Sequence, residues 1–473
     1  PAGRIWVANK GSSTLSLIGG GSLAVESTIS LPRGAQPHGL AIDPTSGDAF
    51  VVLEGTGELM RIDGATGAVL DSVDVGANPR HLSISSDGST IYVSRFVTPP
   101  VSGESGTDPQ PDSGDGGELI VVSTAAGLQV EGTILLETST RPDGLDSARG
   151  VPNYLGPAAI SPDGSQAWVA SKQDNIQRGS GRDGKPLIHD NTLRGITSRI
   201  DLGTASADEA ERIDHDNAGI GSTTLFDRTG NLVFSALEGS RHVAVIDVYN
   251  GAEIARFKTG RAPQGLAISP DGRRLYVHNF MGRSVTVHDI SRLVDGDGDT
   301  VTTLATYDAV ADEQLSSLVL RGKQLFYDSE DQRLALEGYI SCASCHNDGG
   351  QDGRVWDLTG FGEGLRNTID LRGRAGIAHG PLHWSANFNE VQDFEGQIRD
   401  LAGGGGLIDP GDPHPPLGDA NSGRSEDLDA IAAYVASLAE FDDSPFRQAD
   451  GALSPGGEQG KLLFQSQGCA SCH

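Results

Sequence analysis

The feature that most constrains this chain is a phrase repeated through residues 4–310: a short apolar strand, a tight turn, and a second strand with an aromatic residue near its start. It stands as GLAIDPTSGDAFVV at Gly39 to Val52, HLSISSDGSTIYVS at His81 to Ser94, PAAISPDGSQAWVAS at Pro157 to Ser171 and GLAISPDGRRLYVHN at Gly265 to Asn279. Each copy alternates apolar and polar residues on both sides of an Asp-Gly or Ser-Gly turn, the pattern of a β-hairpin. With Trp6, Phe50, Tyr92, Trp168, Val233 and Tyr276 taken as equivalent, the phrase returns about every 43 residues, apart from two longer intervals. Two further strands follow each hairpin, as in SVTVHDI and TVTTLATYD. Four strands per unit at this period predict an all-β propeller, because such a blade buries its faces only against neighbouring blades. Six blades are visible and the first begins at its second strand, so closure with six or seven blades is open.

The two longer intervals hold insertions. TPPVSGESGTDPQPDSGDGGEL, rich in Gly, Pro and Asp, is expected to be a mobile surface loop. SKQDNIQRGSGRDGKPLIHDNTLRG carries both charge signs and is expected to be ordered on one face of the propeller. Through the PDG turns and the segments LYVHN and IWVAN, residues 4–310 resemble the YVTN-type β-propeller family. That resemblance implies a fold and no particular chemistry.

After Ala311 the pattern changes. LSSLVLRGKQLFYDS and GRSEDLDAIAAYVASLAEF carry apolar residues at helical spacing, and Ser425 precedes Leu428 by three with Glu426 and Asp427 in the first turn. The expected organisation is a propeller over residues 1–311, a mainly α-helical domain over 312–444 and a third domain beginning in 445–473.

All four cysteines lie in two copies of CASCH, at Cys342 to His346 and at Cys469 to His473. Thiols three residues apart can both form thioethers to the edge of one porphyrin, and the adjacent His then reaches its iron. Cys342, Cys345 and His346 are therefore read as holding one covalent haem c, and Cys469, Cys472 and His473 a second. The rival reading, a zinc half-site or a dithiol pair, does not need His directly after the second Cys. Attachment of this kind takes place outside the cytoplasm in bacteria, so a periplasmic or cell-surface location is expected. A haem held only by a terminal pentapeptide would lack a distal side, so the sequence reads as a fragment.

The occupant of the sixth iron position separates an electron carrier from an enzyme. The two methionines, Met60 and Met281, fall in propeller strands or turns, which leaves His379, His383 and His414 beyond the first motif. The apolar, Trp-bearing stretch AHGPLHWSANFNE favours His379 or His383 as a sixth ligand.

Residues from about Leu318 to His473 also resemble the bacterial di-haem cytochrome c peroxidase and MauG family. The matching stretches, in order, are GKQLFYDS, SCASCHNDGG, GLRNTIDLRG, HWSANFNEVQDFEGQ, AAYVASL and GKLLFQSQGCASCH. The resemblance implies that one haem handles peroxide or another oxidant while the other relays electrons. It makes Trp384 the counterpart of the tryptophan between the haems and Gln397 that of a distal-pocket glutamine. Phe361 stands where several relatives have a histidine ligand, which would leave the first iron open. No glutamate follows Gln397 before Glu426, so Glu390, Glu395 or His383 is left to shuttle a proton between peroxide oxygens.

Arg366, with Arg372 and Arg374, is a candidate partner for haem propionates, the alternative being surface ion pairs. Trp356 reads as core. VDGDGDT puts Asp295, Asp297 and Asp299 at the opening spacing of a calcium loop, but Thr306 stands at its twelfth position, so a solvated acidic turn is favoured over calcium.

With 35 Lys and Arg against 64 Asp and Glu, the net charge of −29 argues against nucleic acid or an anionic membrane surface as partner. It would attract a basic partner protein, although a solubilising acidic surface is the favoured reading, and a redox partner such as a small cytochrome or cupredoxin is expected. No apolar run is long enough for a transmembrane segment. Two functions stay open: a peroxidase-like oxidoreductase, and a pure electron-transfer protein whose propeller is a docking or assembly platform. A propeller-channel site near His38 and His81 is a third, with structural turn roles favoured for both residues.

Overall fold

The fold was analysed in a computed structural model that describes residues 3–111, 114–144, 147–409 and 411–471. Six antiparallel sheets follow one another along the chain, the blades of a β-propeller. The first has three strands, Arg4–Asn9, Thr14–Gly19 and Val25–Ser30. The second runs from Pro37–Ile42 to Val69–Asp74 and the third from Pro79–Ile84 to Gln129–Glu137. The fourth is built on a long hairpin, Gln166–Asp174 paired with Leu193–Asp201. The fifth spans Gly221–Phe226 to Ala252–Lys258 and the sixth Pro263–Ile268 to Thr302–Asp308.

The repeated turn explains why the hairpins form where they do. In SPDG the aspartate accepts from the Ser hydroxyl two residues before it and from the backbone N–H two residues after it. Asp163 does so with Ser161 at 2.5 Å and Ser165 at 3.1 Å; Asp271 does so with Ser269 at 2.5 Å and Arg273 at 3.1 Å. Asp87 forms the same clamp, and these hydrogen bonds hold Asp87 and Asp163 down to about 2. The glycine that follows takes the left-handed conformation, with φ of 75° at Gly88 and 73° at Gly164 and Gly272.

Contacts divide the chain into two compact units, Pro1–Val93 with Ile120–Gly132 and Phe441–His473, and Ser94–Leu119 with Thr133–Glu440. The first is built on interleaved strand faces, including Phe50, Val52, Leu59, Ile91, Val93 and Val122. His38 and His81 meet edge to face in it, with centroids 4.9 Å apart. Its last helix, Pro455–Ser466, is capped by the Ser454 hydroxyl, and the turn Cys469–Ser471 follows. Cys472 and His473 lie outside the described residues.

In the second unit the helices Ser317–Phe326 and Glu426–Ser437 pack together. Leu325, Phe326, Leu428, Ile431 and Val435 form one core with Met281 and Ala262 of the sixth blade. The helices approach so closely that a Cβ on Gly322 would stand 1.8 Å from the Ala430 carbonyl oxygen. Ser316 and Ser425 cap them, each hydroxyl accepting at 3.3 Å from the N–H three residues on.

Two expectations are corrected here. Residues 311–440 are not mainly helical: the other helices are short, Ala343–His346 and Glu395–Asp400, and most of the chain is irregular, in keeping with its many glycines. The insertion after Arg95 is anchored. Glu104, 3% exposed, binds Arg354 at 3.1 Å and the Val355 N–H at 2.8 Å, while Arg354 donates to the carbonyls of Thr98 and Pro99. In the acidic turn, favoured above as solvated rather than calcium-binding, Asp295 is held by Arg273 at 2.6 and 2.9 Å.

Candidate functional site

A cavity of about 320 Å³ lies within the second unit and is bordered by Cys342, Cys345 and His346. Its walls are largely aliphatic and aromatic, with Leu325, Phe326, Ile398, Leu428, Ile431 and Val435 among them. The helical turn Ala343–His346 brings both sulfurs and the imidazole to the same space. His346 Nδ1 lies 3.1 Å from the Gly350 carbonyl, a bond that fixes the ring and leaves Nε2 for a ligand. Burial pushes the Cys342 thiol up to about 11. Burial and then Asp352 push Cys345 well above the ordinary thiol range. No group of three His, Cys, Asp or Glu side chains that could hold a metal ion occurs among the described residues.

A porphyrin fits this donor set. It needs an apolar slot, two thiols at one edge, an axial imidazole and cations for its acid groups; Arg366 and Arg374 border the same cavity. Arg374 is anchored by the Asp370 carbonyl at 2.7 Å, and Arg366 Nε is buried without a hydrogen bond. Arg372 is paired with Asp370 instead, at 2.6 Å.

His383 also borders the cavity, held in the left-handed region at φ 63° and packed on Phe388 and Phe394. Its Nδ1 lies 2.8 Å from Asn387 Oδ1 and its Nε2 3.2 Å from Gln397 Nε2, so Nδ1 carries the proton and Nε2 accepts from the glutamine. Trp384 and His379 border the cavity from exposed positions, the indole N–H of Trp384 donating to the Asn367 carbonyl at 2.9 Å. Glu395 does not border the cavity: its buried carboxylate accepts from the N–H groups of Leu407 and Ile408 and from Arg399. It closes the glycine-rich loop, where a Cβ on Gly406 would collide with Arg399 and Glu395. Glu390 is engaged by the N–H groups of Asn421 and Ser422.

Two acids border the cavity: Asp328, which is paired with Arg241 and Arg261, and Glu363, which sequence reasoning missed. Glu363 is 3% exposed; Oε2 accepts from Ser385 at 2.8 Å, and Oε1 lies 3.4 Å from His383 Nδ1 without a hydrogen bond. Its signal was present in GFGEG, beside Phe361. The propeller insertion supplies more of the wall, through Leu187, Thr192 and Leu193, and no local pattern marks them. Trp356, read as core, is buried and also borders the cavity, its indole N–H donating to Asp352 at 3.1 Å.

No protein-family model matches the chain. Part of it is similar to cytochrome c peroxidases. The Escherichia coli cytochrome c peroxidase is 28% identical over 182 residues, 30% of this chain and 34% of the relative. The cytochrome c551 peroxidase of Pseudomonas aeruginosa is 28% identical over 181 residues, 32% of this chain and 49% of the relative. The hydrazine synthase subunit gamma of Kuenenia stuttgartiensis is 33% identical over 165 residues, 33% of this chain and 43% of the relative. The chain thus spans less than half the length of the curated relatives it matches. Each similarity is confined to part of the relative and is of low identity. No helix among the described residues is long and apolar enough to cross a membrane.

Proposed function

We propose that this protein is a periplasmic or cell-surface di-haem oxidoreductase of the peroxidase type. Residues 312–444 would hold one haem c through Cys342, Cys345 and His346, and residues 445–473 would begin a second haem domain through Cys469, Cys472 and His473. The observation that carries the reading is the convergence of both thiols of the first motif, the fixed His346 imidazole and two arginines on one apolar cavity. Bound haem supplies one-electron chemistry and an iron at which an oxidant is reduced.

The residues around it have separable tasks. His346, oriented by the Gly350 carbonyl, would hold the iron. Arg366 and Arg374 neutralise the propionates. The hydrophobic walls exclude water, which strengthens every charge interaction inside. Gln397 and His383 would orient an oxidant in the cavity, and Glu363 Oε1 with His383 would be where a proton is held. Trp384 is the candidate relay toward the second haem, and a basic small cytochrome or cupredoxin is the candidate donor.

An electron paramagnetic resonance spectrum of the oxidised protein tests this directly. One high-spin ferric signal that disappears on adding cyanide is expected. Two low-spin signals indifferent to cyanide would overturn the enzyme reading. A pure electron-transfer role is supported by one observation, that His383 Nε2 faces Gln397 across the cavity wall and could turn to the iron instead. In that case His383→Ala would convert one haem from low to high spin.

A further inference from the structure

Lys172 lies on a propeller strand, Gln166–Asp174, with its side chain fully removed from solvent. Its ammonium is 2.9 Å from Asp174 Oδ1 and 3.2 Å from Asp352 Oδ2. Asn153 fastens the arrangement, donating at 2.8 Å both to Asp174 Oδ2 and to the Asp352 carbonyl. The same ammonium stands 4.4 Å from the centre of the Tyr154 ring and 5.9 Å from that of Trp356. Tyr154 donates to the Cys345 carbonyl, and Trp356 donates to Asp352 and borders the cavity. Through Tyr154 and Trp356 the cluster thus reaches both the attachment motif and the cavity wall.

Removing an ammonium and two carboxylates from water costs several kcal/mol per ion, and well-packed apolar residues often do as well for stability. The cluster is also unbalanced. It holds one cation and two carboxylates, whereas the nearby buried Arg354 is matched by Glu104 at 3.1 Å.

We propose that Lys172 and its two carboxylates tune the reduction potential of the haem held at Cys342, Cys345 and His346, which makes the propeller an electrostatic part of the redox site. A positive charge in a low-dielectric wall stabilises the reduced cofactor and a negative charge the oxidised one. This inference rests on the haem assignment made above.

The test is a redox titration of the intact haem-loaded chain at alkaline pH, followed by absorbance, for Lys172→Met, Asp174→Asn and the double variant. One component is expected to move to lower potential in the first and to higher potential in the second. The double variant, which exchanges the charged pair for neutral groups, is expected to return toward the parent value. Single variants that leave every component in place, or that shift it in the same direction, overturn the proposal, because packing damage has no charge sign. If Lys172→Met does not fold, Asp174→Asn and the double variant still decide the sign. A chain that takes up no covalent haem shows no titrating component at all, and then the functional reading itself falls.

Discussion

Tyr154, which follows the first strand of the fourth blade, donates its phenol hydrogen to the carbonyl oxygen of Cys345 at 2.9 Å. Its ring stacks on Phe96 with centroids 4.4 Å apart. The propeller therefore grips the backbone of the attachment motif itself. Tyr154→Phe leaves that carbonyl without its protein partner and should cost about 1 kcal/mol. Tyr154→Ala also removes the stacked ring and should cost about 3–5 kcal/mol. Urea unfolding of both variants checks the order, and a Tyr154→Phe protein as stable as the parent would remove the hydrogen bond from the account.

Gly322 is where two helices touch. A solvent-facing Gly→Ala change inside a helix would stabilise by about 1 kcal/mol. Here the added methyl meets the Ala430 carbonyl, so Gly322→Ala should destabilise by about 1–3 kcal/mol. Thermal unfolding gives the sign, and a raised Tm would contradict the close approach.

Glu54 links the first unit to pH. Burial alone would push its carboxyl up, but Arg80 and Lys10 hold it down at about 2. A depressed acid adds stability that is complete above its unfolded value, 4.5, and is lost as pH falls through the folded one. Glu54→Gln should thus cost up to about 3 kcal/mol at neutral pH and progressively less toward pH ~2. Unfolding curves at several pH values check this; a pH-independent difference would show that the charge is not involved.

Glu363 and His383 share one side of the cavity at 3.4 Å. Removal of a proton-holding group lowers turnover by on the order of 10²-fold, so Glu363→Gln and His383→Ala should each slow peroxide reduction to that degree. Glu395→Gln should instead lower stability, because its carboxylate holds the loop at Leu407 and Ile408. Steady-state kinetics beside unfolding data separate the two classes, and a Glu395 variant that is stable but inactive would reverse the assignment.

Much of the framework is legible in the residues alone. The hairpin phrase announced the blades, because strand alternation and the Ser–Asp–Gly clamp act over a few residues. Ser425 marked its helix for the same reason: a cap is a bond between positions three apart. The CASCH spacing picked out Cys342, Cys345 and His346, which one helical turn then carries to one cavity. The loop around Glu104 was misjudged because its composition matches a free segment, and its anchor, Arg354, is 250 residues away.

The sequence by itself determined what short-range geometry determines: turn chemistry, strand period, helix caps and the local pairing of thiols with imidazole. Only the tertiary structure decided which distant groups share a dry environment. Lys172 meets Asp352 across 180 positions, and Val355 meets Glu104 across 251. Leu187 and Leu193 wall a cavity whose attachment motif begins far beyond them. Burial and charge pairing depend on how the chain closes on itself, and no local pattern records that closure.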